Sequence, residues 1–187
     1  MKGATGERGI FVLKLTVRDI EPPIWRRIRI RSGTSLSRLH LTIQALMEWE
    51  NYHLYQFQID EKIHGPALED DDLHEKRESV RIRLSTVFKE GLDTIVYEYD
   101  FGDGWEIEIK LEEVMPMAEQ AETVKCVGGA RHGPLEDSGG PLGYMEKLKV
   151  LKDHSHPDYK EVKEWIGTRY NSESFNVSEM NYYLREF

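Results

Sequence analysis

Tyr97-Glu98-Tyr99-Asp100-Phe101-Gly102-Asp103-Gly104-Trp105-Glu106 joins two alternating runs through an Asp-Gly turn. Asp103-Gly104 is a pair that tight hairpins favour, because both central positions take positive φ and Gly, Asn and Asp accept it at least cost. The alternation extends on either side, so strands are predicted over residues 94–100 and 105–114. The bend also carries two carboxylates, Asp100 and Asp103, with aromatic neighbours, as a small polar site at a strand end would. A bare hairpin and a hairpin bearing a site are both consistent with these residues.

Upstream, residues 10–18 alternate, with Phe11, Leu13, Leu15 and Val17 on one side and Lys14, Thr16 and Arg18 on the other. Pro22-Pro23 break that strand. Residues 24–31 alternate again, with Ile24, Ile28 and Ile30 facing one way and Trp25, Arg27, Arg29 and Arg31 the other, which makes an antiparallel partner. From 34 to 49 the apolar positions Leu36, Leu39, Ile43, Leu46 and Met47 follow helical spacing, with Thr34 or Ser35 as N-cap. A strand at 54–59 follows. Strand, strand, helix, strand is the order of a β-grasp core, in which a helix lies across one face of a mixed sheet.

Residues 60–79 are polar, and Glu69-Asp70-Asp71-Asp72 read as a solvated loop, since four adjacent carboxylates lack the alternating ligands and fixed Gly of a calcium loop. Residues 80–84 read as a short or edge strand. After Pro116 the composition turns to Gly and Pro, predicting a long loop over 116–140. Helical patterns close the chain near 141–152, 157–166 and 177–185. The fold class expected is α+β: a β-grasp-like mixed sheet with a packed helix, an added β-hairpin and a C-terminal helical cluster. Residues 1–9 are expected to be disordered, and 10–187 to form a single domain with a sheet core (10–115), a Gly/Pro loop (116–140) and a helical annex (141–187).

With 39% hydrophobic and 32% charged residues, the 187-residue chain has the balance of a soluble globular protein. No apolar run approaches the roughly 20 residues of a membrane span, and the polar start has no secretory h-region. The single cysteine, Cys126, excludes an internal disulfide framework and points to a reducing, cytoplasmic setting. Thirty-four acidic against 25 basic side chains give a formal charge of −9. That balance opposes non-specific attraction to nucleic acid or an anionic membrane.

Ile20-Glu21-Pro22-Pro23-Ile24-Trp25-Arg26-Arg27, Met47-Glu48-Trp49-Glu50-Asn51-Tyr52-His53-Leu54-Tyr55-Gln56-Phe57, the hairpin 97–106 and Pro134-Leu135-Glu136-Asp137-Ser138-Gly139-Gly140-Pro141-Leu142-Gly143-Tyr144, taken in this order, resemble the plasmid pRiA4b ORF-3-like family. The resemblance covers about residues 10–184. It implies a compact α+β protein of bacteria and archaea, often encoded near plasmids and mobile elements, with no assigned biochemical activity. Many relatives read Cys-Pro-Pro-Glu-Asp in the Gly/Pro loop, with a second cysteine near the position of His132 or Gly133 and some with another where Ser138 stands. Here only Cys126 remains, so a thiolate metal site of the kind that loop could form would need His132 or a carboxylate as substitute.

Four groups of residues could carry chemistry. Trp49, Glu50 and His53, at the helix exit, together with Asp100, Asp103 and Trp105, form a candidate binding surface at one end of the sheet, where aromatics and carboxylates could converge. Within it His53, Asp100 and Asp103 are candidate ligands for a divalent metal, the one cofactor these residue types suggest; His53 could equally do no more than cap the helix end. Cys126, His132, Glu136 and Asp137 include legitimate zinc ligands but lack the paired close spacing of a structural site, so capping of backbone amides competes with ligation. Arg27, Arg29 and Arg31, joined by Lys14 and Arg18, could grip phosphates or pair with Glu98, Asp100, Glu106 and Glu108 across the sheet. Asp153-His154-Ser155-His156-Pro157 reads as an interhelical loop.

No nucleophile, base and orienting group occur together at a recognisable spacing. The leading expectation is therefore a non-catalytic binding or interaction module with a protein or small-molecule partner. The alternatives are a metal-dependent hydrolase acting on nucleic acid or nucleotide, and a DNA-binding accessory protein.

Overall fold

The computed structural model describes residues 9–66, 81–89, 91–117 and 122–186. The predicted disordered start and the acidic run 69–72 lie outside the described residues, apart from Gly9, which opens the first strand. In chain order the elements are β1 (Gly9–Val17), β2 (Trp25–Arg31), α1 (Leu36–Met47), β3 (Tyr55–Ile59), β4 (Lys62–His64), α2 (Leu84–Val87), β5 (Thr94–Tyr99), β6 (Trp105–Pro116), β7 (Val124–Ala130), α3 (Gly140–Lys152), α4 (Tyr159–Ile166) and α5 (Val177–Tyr183), with a final 3-10 turn, Leu184–Glu186. The fold is α+β. No described helix is long and apolar enough to cross a membrane.

Seven strands form one sheet in the order β4-β3-β5-β6-β1-β2-β7. The sheet was expected to be mixed, but every pairing is antiparallel. The physical reason lies in the connections: β1–β2, β3–β4 and β5–β6 are each joined by short links that reverse the chain, and β6 then returns against β1. α1 carries the chain from β2 to β3, which three strands separate, so it spans the sheet rather than linking parallel neighbours.

The period-two faces are those the sequence suggests. Phe11, Leu13, Leu15 and Val17 of β1 and Ile28 and Ile30 of β2 are buried in one cluster with Leu36, Leu39, Ile43 and Leu46 of α1. Tyr144 and Leu148 of α3 and Met180 of α5 join the same cluster. Ser35 caps α1 through its hydroxyl, which accepts from Arg38 N–H at 3.3 Å. Arg26, on the inward face of β2, has no exposed surface. Its guanidinium donates to the carbonyls of Leu46, Trp25 and Ala130 and stacks 4.8 Å from the Phe175 ring, tying the end of α1 to β7. Burial lowers its pKa to about 10, which leaves it charged at neutral pH.

Two expected elements differ. Residues 116–140 are not all loop, because β7 adds to the edge of β2. A Cβ at Gly129 would lie 2.5 Å from the Phe175 ring, so the glycine that weakens the strand pattern is demanded by packing. Nor do residues 81–84, the described part of the expected strand 80–84, make one: Arg83 forms a single bridge with Ser35, and the next residues turn into α2.

Candidate functional site

Three loops meet at one end of the sheet. The first, 48–54, leaves α1 through Glu48 in the left-handed region at φ 60°. Trp49 lays its ring on Tyr99 with centroids 4.8 Å apart and donates its indole N–H to Pro134 O at 2.8 Å. The second is the 100–104 bend between β5 and β6. The third, 131–139, leads into α3. Glu50 N–H donates to the Glu136 carboxylate at 2.7 Å, and Gly139 N–H to the Asp103 carboxylate at 3.1 Å, so each loop is fastened to another.

The bend departs from the two-residue turn expected of Asp103-Gly104. Tyr99 pairs with Trp105, leaving five residues in the loop, and positive φ falls on Asp100 (55°) and Gly104 (67°) rather than on Asp103. Asp100 sets this shape: its Oδ1 accepts from Gly102 and Asp103 N–H at 3.1 and 3.3 Å. A non-glycine residue in the left-handed region costs about 1 kcal/mol or more unless its surroundings hold it there. Asp137 adopts the same conformation at φ 55°.

Those two aspartates face one imidazole. His53 Nε2 lies 3.4 Å from Asp100 Oδ2 and 3.3 Å from Asp137 Oδ1. One ligand atom from each of the three residues falls within 4.8 Å of the others, and among the described residues this is the single group of three metal-ligating side chains that assembles. Nε2 is shielded from solvent and has no hydrogen-bond partner. Tyr52 donates to the second oxygen of Asp137 at 2.5 Å. Tyr99 donates to Glu136 at 2.6 Å, accepts the His53 backbone N–H at 3.3 Å and meets the His53 ring edge-on with centroids 5.6 Å apart. Burial and the Glu136 contact push the Tyr99 phenol up, and the Asp137 contact does the same for Tyr52, so both hydroxyls keep their protons.

Two carboxylate oxygens and an imidazole nitrogen at this separation are too far apart for the charge-assisted hydrogen bond of about 2.7–2.9 Å. They match another geometry. Two ligands each about 2.1 Å from a cation, at a near-tetrahedral angle, stand roughly 3.4 Å from each other.

The other candidates fall elsewhere. Asp103 does not join the cluster, since its carboxylate is committed to Gly139 N–H. Trp105 is fully buried between Trp49 and Tyr144, so it supports the site from beneath and offers no binding surface; Glu50 is exposed at the rim. Cys126 is buried in β7 with its thiol on Gly128 O, and burial raises its pKa. His132 stands 3.3 Å from Glu48, forming a separate pair rather than a zinc set with Cys126. Arg27 makes a bidentate pair with Glu112 at 2.6 and 2.9 Å, and Arg18 reaches Glu106 and Glu108, whereas Arg29 and Arg31 are exposed. His156 sits 3.9 Å from Asp158 in the loop between α3 and α4.

The sequence places Asp137 with Cys126, His132 and Glu136, as zinc ligand or backbone cap, and gives no sign that it joins His53, nor that Tyr52 belongs to the site. The adjacent pairs Tyr52-His53 and Glu136-Asp137 were visible, but nothing in their spacing joined two loops 85 residues apart.

A profile of the plasmid pRiA4b ORF-3-like protein family matches residues 9–179. Uncharacterized protein y4hQ of Sinorhizobium fredii (strain NBRC 101917 / NGR234) is 39% identical over 173 residues, covering 90% of this chain and 87% of its own. The crystal structure of the protein of unknown function MM3350 from Methanosarcina mazei Go1 has the same fold, with a TM-score of 0.84 and 33% identity across 93% of this chain and 98% of that one.

Proposed function

We propose, for a chain that belongs to the plasmid pRiA4b ORF-3-like protein family, that His53, Asp100 and Asp137 hold a divalent cation and that the protein works through that ion as a metal-dependent hydrolase. The observation that carries this reading is the spacing of the three acceptor atoms, 3.3 and 3.4 Å around an otherwise unpartnered Nε2. Three acceptors brought together without a proton or cation between them repel, and a cation turns that repulsion into ligation. One imidazole and two carboxylates suit zinc or manganese.

Three protein ligands leave a coordination position for water or substrate, which is what separates catalytic from closed structural sites. The Asp137 side chain is 60% exposed, so solvent reaches the cluster. A hollow of about 310 Å³ adjoins His53, lined also by Ser37, His40, Asn51 and Leu54 among others. A bound water would supply the nucleophile. Tyr52 and the Gly102 and Asp103 amides, by bonding the carboxylates from outside, would fix their orientation as supporting groups around metal ligands do.

Titration calorimetry of chelator-free protein with Zn²⁺ and Mn²⁺ tests the site. Saturable binding of about one ion per chain is expected, weakened by roughly 10–100-fold or more in Asp137→Asn and in His53→Gln. Asp137 is the better probe because Asp100 also shapes the bend. Absence of binding, or binding unaffected by both substitutions, overturns the reading. A bound ion without turnover of a chromogenic phosphodiester would keep the cation and return the chain to an interaction module.

A further inference from the structure

Away from the His53 cluster, the described residues gather four arginines at one hollow. Arg31 ends β2, Arg38 lies in the first turn of α1, and Arg81 and Arg83 lie on the segment leading into α2. The backbone brings these segments together: Leu36 N–H donates to Ile82 O at 3.0 Å, Leu84 N–H to Thr34 O at 2.8 Å, and Ser35 bridges Arg83. All four arginines line a single hollow of about 460 Å³, with the hydroxyl residues Ser35 and Thr123 on its wall and no carboxylate among the described lining residues. In a chain of formal charge −9 this is a local inversion.

We propose that this hollow binds a compact phosphorylated anion, a di- or triphosphate ester, at a site independent of the cation cluster. Guanidinium groups match phosphate oxygens in bidentate pairs, and Ser and Thr hydroxyls complete such shells. α1 presents its N-terminal end through Ser35 to the same space, and its partial positive charge adds to the field. Arg31 and Arg38 each hold another contact as well, so the charge most available to a ligand is that of Arg81 and Arg83, both exposed. The volume lies in the range of roughly 300–1,000 Å³ typical of small-ligand sites.

Shape also selects the ligand. A duplex is tracked by cations spread along a surface, but of the arginines that could continue such a track Arg18 and Arg27 are paired with Glu106, Glu108 and Glu112, which leaves Arg29 as the exposed arginine beside Arg31 on β2. Arg31, Arg38, Arg81 and Arg83 instead line one hollow.

The test is titration calorimetry of the full chain with inorganic pyrophosphate, in low salt and without divalent cations, so that the His53 cluster takes no part. Saturable one-to-one binding is expected, weakened at least about tenfold by Arg81→Gln/Arg83→Gln and weakened again as salt shortens the screening length. The double variant should melt with the wild type, since both side chains are exposed; Arg38→Gln is the second probe from a different element. No saturable binding, or binding unchanged in both variants, overturns the proposal. A nucleoside triphosphate binding at least as tightly as pyrophosphate supports a free nucleotide as the source. Affinity that instead grows with the length of a single-stranded oligonucleotide overturns the compact-ligand assignment.

Discussion

Burial lowers the His40 pKa to about 4, against 6.5 for the free side chain. Its ring is stacked 3.5 Å from Tyr55, one nitrogen meets the Tyr97 hydroxyl at 2.7 Å, and the other meets the Asn51 amide oxygen at 2.7 Å. Between these two pKa values the unfolded chain binds a proton that the folded one refuses. The stabilisation is therefore complete above pH 6.5 and is lost as pH falls toward 4, by an amount on the order of 3 kcal/mol. Thermal melts should drop across that window, and His40→Gln should flatten the slope; an equal slope in both proteins would discount His40 as the titrating group. Residues of this kind were partly legible. His53 and Asp100 drew notice because an imidazole near neutral pH and a carboxylate at a bend are chemically conspicuous. His40 and Arg26 did not, because each occupies an apolar-facing position and only the packed structure shows what satisfies it.

Elements with a clean period could be read directly, and those shaped by a neighbour could not. Residues 10–18, 24–31 and 105–114 alternate in sequence and form β1, β2 and β6 with the expected faces inward. β7 has Gly128-Gly129 where a strand would carry β-branched residues. Its stability comes from outside its own sequence: β2 pairs one side, and on the other Asn181 of α5 acts as a one-residue strand. The Asn181 side-chain oxygen accepts Cys126 N–H at 2.8 Å, while its amide donates to Cys126 O at 2.9 Å. This closes part of an edge that would otherwise be open to pairing with another chain. Asn181→Ala should cost about 1–3 kcal/mol in denaturant unfolding by stranding both backbone groups; a loss below about 0.5 kcal/mol would mean that water replaces the amide without penalty.

At the scale of the molecule, the sheet surface carries ion pairs of Arg18 with Glu106 and Glu108 and of Arg27 with Glu112, and such exposed pairs contribute about 0–1 kcal/mol each. Their effect is to use up cations that could have formed a nucleic-acid track. The antiparallel order was hidden because pairing partners are not encoded locally: nothing in residues 9–17 announces that their second neighbour lies at 105–116. That placement governs how the protein is made. β1 sits between β2 and β6, so when the first half of the chain has been synthesised β1 and β2 can zip together but the other side of β1 stays bare. Long-range pairing of this kind is slow and leaves an adhesive edge in the meantime. A fragment ending at residue 93 should show no cooperative melt and should aggregate with rising concentration; a sharp, concentration-independent transition would refute this. During translation, then, the interval between the emergence of β2 and of β6 is the period in which the nascent chain most needs a chaperone.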